Sequence, residues 1–134
     1  MFGSLDISTS ALVAHRQWLT VIANNMANQN TQFNAAGEYA PYRRQIPVFA
    51  QGADSDGNLP GVHLQEIKLD DSPFRREYDP DSELADADGY VYYPNVDPVI
   101  EQMNAMVAAR AYEANVTAAE ATKSMMLTSL RLLA

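Results

Sequence analysis

The feature that most constrains this chain is residues 97–133, which hold no glycine and a single proline, Pro98, at their start. Asp97 suits an N-cap, Pro98 suits the first helical position where its missing N–H costs nothing, and Glu101 adds negative charge to the first turn. Helix formers follow almost without interruption, alanine above all. The pattern predicts one helix of roughly 35 residues, on the order of 50 Å long at about 1.5 Å rise per residue. An average globular helix is about a third of that.

Alternating steps of four and three pick out Ile100, Asn104, Val107, Ala111, Ala114, Ala118, Ala121, Met125, Thr128 and Leu132, a heptad-like seam that is apolar at all but Asn104 and Thr128. Alanine in its middle buries little area but admits a close neighbour. Arg110, Glu113, Glu120 and Lys123 lie off the seam. Most helical stability in proteins comes from packing a face, so a helix this long requires something to lie on it.

Residues 4–28 read as a second helix, with Ser8, Thr9 and Ser10 as candidate early caps. It carries two apolar stripes: Leu5, Leu12, Leu19, Ile22 and Met26, and Ile7, Ala11, Ala14, Trp18 and Val21. A helix apolar on two faces is buried in a core or shared among several neighbours, and the rest of this chain is too small to surround it. Pairing the two helices would still leave apolar surface uncovered, which points to assembly. Asn24, Asn25, Asn28 and Asn30 crowd the C-terminal end. Asparagine competes for backbone groups, so the cluster reads either as a frayed C-cap or as a polar junction between chains.

From 31 to 95 the character changes. Six of the seven prolines and five of the six glycines fall here, separating short β-like runs at 42–49, 62–69, 74–78 and 90–93. Residues 51–61, with Asp56-Gly57, are expected to turn the first two runs into a hairpin. The second run breaks alternation between Leu64 and Ile67, predicting a bulge or bend. The expected fold is therefore mainly α with a small β element: long N- and C-terminal helices (1–30 and 97–134) paired like a coiled coil, and an irregular β-hairpin and loop insertion over 31–96.

Seventeen acidic residues against nine basic ones give a net charge of -8, which opposes nucleic-acid binding as a main role. No apolar run reaches the roughly 18 residues of a membrane span, and residues 1–10 lack the features of a cleaved secretory signal. Cysteine is absent, which fits chance in a short chain as well as a protein exported unfolded or working in an oxidising compartment.

Residues 79–89 are acidic, but EF-hand spacing would put Leu84 at the first ligand and Asn95 at the last; around Gly57 the same places hold Gly52 and His63. Solvated turns are the expectation for both. His15 and His63 are far apart, and no clustered His/carboxylate set for a metal, Gly-rich phosphate loop or nucleophile elbow is seen. The reading is a protein without cofactor, metal site or catalytic residues.

Taken in order, Asp6-Ile-Ser-Thr-Ser10, Ala23-Asn-Asn-Met-Ala-Asn28 and Thr31, then Pro73-Phe-Arg75, Tyr78-Asp-Pro80, Ala87-Asp-Gly-Tyr-Val91, Pro94-Asn-Val-Asp97 and Ala109-Arg-Ala-Tyr-Glu-Ala-Asn115, resemble the bacterial flagellar rod and hook family, most of all its proximal-rod branch, over essentially the whole chain. The resemblance implies a structural subunit whose terminal helices stack with those of many copies into a hollow tube, the torque-bearing shaft of the basal body in the periplasm. It implies export in the unfolded state through the flagellar type III apparatus without signal cleavage. The implied partners are further copies, other rod proteins, the ring–rod junction adaptor and the membrane-embedded ring.

On that footing Leu5, Leu12, Leu19 and Ile22 are expected to pack within the subunit against Val107, Ala114, Ala118 and Met125. Ile7, Ala11, Ala14 and Trp18 are expected to meet adjacent subunits, with Ala111, Ala121 and Leu132 extending the packing seam and Asn24, Asn25 and Asn28 forming an inter-subunit polar junction. The rivals are a soluble adaptor whose helices close on themselves as a hairpin, or an export-associated protein, and a wall-cutting enzyme, for which no carboxylate pair stands out.

Overall fold

The computed structural model describes residues 2–52 and 61–133. Two long helices, α1 (Phe2–Ala27) and α2 (Pro98–Leu133), flank four strands: β1 (Gln45–Gln51), β2 (Val62–Leu69), β3 (Arg75–Tyr78) and β4 (Tyr90–Tyr93). The fold is mainly helical with a small β element of two two-stranded sheets, β1–β2 and β3–β4.

Helix α2 starts as its sequence dictates. The Asp97 carboxylate accepts the Val99 N–H at 2.9 Å, and Pro98 opens the helix. Helix α1 starts before the expected serines, which do not cap it. The hydroxyls of Ser8, Thr9 and Ser10 donate back to the carbonyls of Ser4, Leu5 and Ile7. The same habit recurs at Thr20, Thr117, Thr122 and Thr128, each bonded to the carbonyl four residues earlier.

In the β1–β2 pair the Asp70 N–H meets the Arg44 carbonyl at one end and the Gly52 N–H meets the Gly61 carbonyl at the other. Eight steps separate 44 from 52 and nine separate 61 from 70, so the β2 side carries one residue more, as the broken alternation predicts. Pro47 sits inside β1, tolerated because the sheet has only two strands. The turn expected around Asp56-Gly57 lies outside the described residues. Gly61 (φ +153°) brings the base of β2 against α1: a Cβ there would collide with the Ser10 hydroxyl, which also accepts the Val62 N–H at 3.2 Å.

Strands β3 and β4 run antiparallel with Arg75 opposite Tyr93 and Tyr78 opposite Tyr90. Arg75 stacks over Tyr93 and Arg76 over Tyr90, both at 5.2 Å, and Tyr78 meets Tyr90 edge to face. The acidic connection between these strands is organised by Asp86, whose carboxylate accepts the N–H groups of Asp88 and Tyr90 and the Tyr92 hydroxyl. The Tyr90 N–H foremost, helped by the Tyr92 hydroxyl, holds the Asp86 carboxyl below its ordinary value.

The chain forms two compact units, each drawing on both helices and on the middle. The alanine unit comprises Met1–Thr20, Pro47–Ile67 and Ala105–Ala134; the junction unit comprises Val21–Ile46 and Lys68–Asn104. Among the described residues the alanine unit buries only Ala14 and Ala108, whereas the junction unit buries Val21, Ile22, Asn25, Val91, Pro94, Val96 and Glu101.

Candidate assembly surface and its buried junction

The surface begins with the faces of α2. Its covered line runs through Ala108, Ala111, Asn115, Ala119, Thr122 and Met126, mostly small residues that permit close approach. The seam read from sequence shares Ala111 with this line but otherwise lies one position away, about 100° round the helix. Consequently Val107, Ala114, Ala118, Ala121, Met125 and Leu132 are exposed, with Met125 at 61% and Leu132 at 83%. Val107, Ala114, Ala118 and Met125 therefore do not pack inside the chain. Apart from Val116 and Met126, which are half-buried, the larger apolar groups of α2 stand outside, while the covered line is mainly small, the reverse of an ordinary surface helix.

On α1 the expected division into an inner and an outer stripe is likewise not realised. Ile22 is buried and Leu5, Leu12 and Leu19 are half-buried, but so are members of the other stripe: Ala14 and Val21 are buried, and Ala11 and Trp18 half-buried. Ile7 at 48% and Val13 at 40% remain open. Both stripes are thus partly used within the chain, and the uncovered apolar area sits chiefly on α2.

The asparagine cluster divides as well. Asn24 is exposed, and Asn28 closes the helix locally, donating to the Asn24 carbonyl at 2.9 Å and accepting the Thr31 hydroxyl at 3.1 Å. Asn25, expected between subunits, is buried in its own chain at 1% exposure. Its amide donates to the Gln45 carbonyl (2.9 Å) and to Glu101 Oε2 (3.2 Å), and its oxygen accepts the Gln45 N–H (2.9 Å) and the Tyr42 hydroxyl (3.0 Å). Two donors and two lone pairs are all used, so nothing is left for a neighbour.

Glu101, equally buried, completes this junction. Its Oε1 accepts Arg44 Nε at 2.6 Å, and Arg44 also reaches Asp70 Oδ2 at 3.4 Å. Asn95 accepts the Arg44 N–H and donates to the carbonyls of Asp70 and Ser72. Arg43 spans the same two carbonyls while lying 4.3 Å over the Phe74 ring. The Asp70 carboxyl is held below its ordinary value by the N–H and hydroxyl of Ser72, with Arg44 adding to the effect. Burial, and then the negative charge of Glu101, push the Tyr42 hydroxyl up. Among the described residues no buried side-chain N or O lacks a partner.

From sequence Glu101 was legible only as first-turn charge, Asn95 only as part of the Pro94–Asp97 motif, and Arg44 and Asp70 carried no signal. Ser72 beside Asp70 excepted, their partners lie 23 to 76 positions away, and no local spacing rule reaches so far. Beside the junction lies an open apolar depression of about 520 Å³, walled by Pro41, Tyr42, Leu69 and Phe74. Among the described residues no group of three or more His, Asp or Glu could hold a metal ion, and no helix is long and apolar enough to cross a membrane.

Comparison with known proteins points to one family. A family described as the flagellar basal body rod FlgEFG protein C-terminal region matches residues 87–132, covering β4 and nearly all of α2. Proteins named flagellar basal-body rod protein FlgC are similar over the whole length: 40% identical in Bacillus subtilis and 42% in Escherichia coli, each alignment covering 98% of this chain and 97% of the relative. The namesake from Borreliella burgdorferi is 36% identical over 99% and 97%.

Proposed function

The chain belongs to the family of flagellar basal-body rod protein FlgC, and from that premise we propose that it is a structural subunit of the bacterial flagellar basal body, built into the rod by packing of its helices. The observation that carries this reading is the inverted α2, with apolar side chains from Ile100 to Leu132 exposed and alanine on the covered line. Burying an apolar side chain is worth about 1.5–3 kcal/mol, so such a face gains heavily from a covering neighbour. The alanine unit makes the same point: among the described residues it buries two alanines, little core of its own.

We assign the packing to Val107, Ala114, Ala118, Ala121, Met125 and Leu132 of α2, with Ile7 and Val13 of α1, against other copies and other rod proteins. Head-to-tail contacts of this kind do not close on themselves and so build a helical filament. Small residues between the helices allow a dense shaft, and dense interiors resist deformation under torque. The subunit acts mechanically, without catalysis, in the proximal rod that crosses the periplasm between the ring with its adaptor and the distal rod. It reaches that place through the type III export path, a route on which a chain without cysteine forms no stray disulfide.

The test is Ala118→Glu. Ala118 is exposed, so the subunit is expected to fold with stability changed by no more than about 0.5 kcal/mol, while rods fail to assemble and cells do not swim. Swimming cells with normal rods would overturn the assignment of this face. A closed hairpin adaptor would have no use for the exposed α2 face.

A further inference from the structure

We propose that Asn25, Arg44 and Glu101 are positioning residues for assembly: within the junction unit they hold the end of α1, the entry to β1 and the start of α2 in the one arrangement in which the subunit is incorporated, without touching a neighbour. This rests on the rod reading above. Asn25 comes from α1, Glu101 from the first turn of α2, Arg44 from the segment entering β1, and Gln45 from β1 itself. The Asn25 amide pairs with both the N–H and the carbonyl of Gln45, as a strand would. One side chain thereby ties a helix end to a strand end.

Apolar contacts could not do this. They are non-directional, and contacts between small side chains leave a helix free to rotate or slide. Hydrogen bonds to a buried carboxylate hold only within narrow distances and angles. A buried ion pair is a weak source of stability against an apolar substitute, and its best-attested use is to specify one arrangement among several. Here Glu101 spends one oxygen on each partner, Arg44 and Asn25. Rotating either helix end would break one of the two bonds and strand charge in a dry site.

The native chain has no cysteine, so paired spin labels can be placed cleanly at Ala23→Cys and Met103→Cys, both exposed and both within the junction unit. The isolated full-length subunit is expected to show a narrow distance distribution. Glu101→Gln keeps the shape but removes the charge; it should broaden that distribution and lower incorporation into rods by about tenfold or more, the scale of one lost charged hydrogen bond. Tyr42→Phe, which removes only the bond to Asn25, should fall between and carries the test if Glu101→Gln does not fold. Val91→Ala, a core cut in the same unit, should lower the melting temperature and leave the distribution narrow. A narrow distribution in Glu101→Gln, or a broad one with unimpaired incorporation, overturns the proposal. Failure of the rod reading shows separately, as swimming Ala118→Glu cells.

Discussion

The junction unit and the alanine unit solve opposite problems. The first buries branched side chains around a polar cluster in which Asn25 and Glu101 are fully partnered. The second has two buried alanines and a row of exposed Val, Met and Leu side chains among the described residues. Directional bonds specify geometry, and uncovered apolar area supplies drive. The chain keeps the directional bonds in the one unit and leaves the uncovered apolar area in the other.

The largest expected effect separates the units directly. Backbone amides of 105–133 in the dilute monomer should exchange at least about a hundredfold faster than those of 90–104, because local stability follows buried apolar contact. Protection should then appear in isolated basal bodies. Equal, strong protection of both stretches in the monomer would abolish the contrast and favour a self-sufficient hairpin. Next in size is Glu101→Ala. Removing one partner of a buried pair costs about 3 kcal/mol, read as a lower midpoint in a urea melt of the isolated subunit. A loss below 1 kcal/mol, by the same principle, would mean that Arg44 finds water at no cost.

Much of this architecture was legible in the sequence. The Asp97-Pro98 start of α2, both helices, strands β2 and β4 and the extra residue in β2 follow from caps, punctuation and alternation. The face of α2 did not. Heptad counting finds the most apolar line and takes it to be the inner one, whereas here the inner line is chosen for smallness, at Ala108 and Ala119, and shares only Ala111 with the counted seam. Asn25 was visible as part of a cluster but not as its one buried member, because what buries it arrives from residues 42, 45 and 101.

Two smaller effects sharpen the comparison. Gly61→Ala should destabilise the Gly52–Gly61 end of the β1–β2 pair by about 1–3 kcal/mol, through overpacking against Ser10, and Ser10→Ala in the same chain should recover part of it. Full stability of the single variant would place the clash elsewhere. The smallest effect concerns acid. The Asp70 carboxyl lies below its ordinary value, so its contribution is present at neutral pH and is lost as pH falls through that depressed value. Asp70→Asn should lower stability slightly at pH 7 and flatten the acid limb of the stability curve, measured by melts between pH 7 and pH 2; an unchanged limb would remove Asp70 from the account.

The hydroxyls of Ser8, Thr9, Thr20, Thr117, Thr122 and Thr128 each return to a carbonyl of their own helix. A face whose donors are satisfied at home makes no polar demand on whatever dries it, since covering it orphans no group. The chemistry a neighbour must match on α2 is then carried by the exposed charges Arg110, Glu113, Glu120 and Lys123 rather than by the hydroxyls. Hydroxyls bonded at home add no directional demand of their own, so shape and those few charges are what such a face leaves for selection.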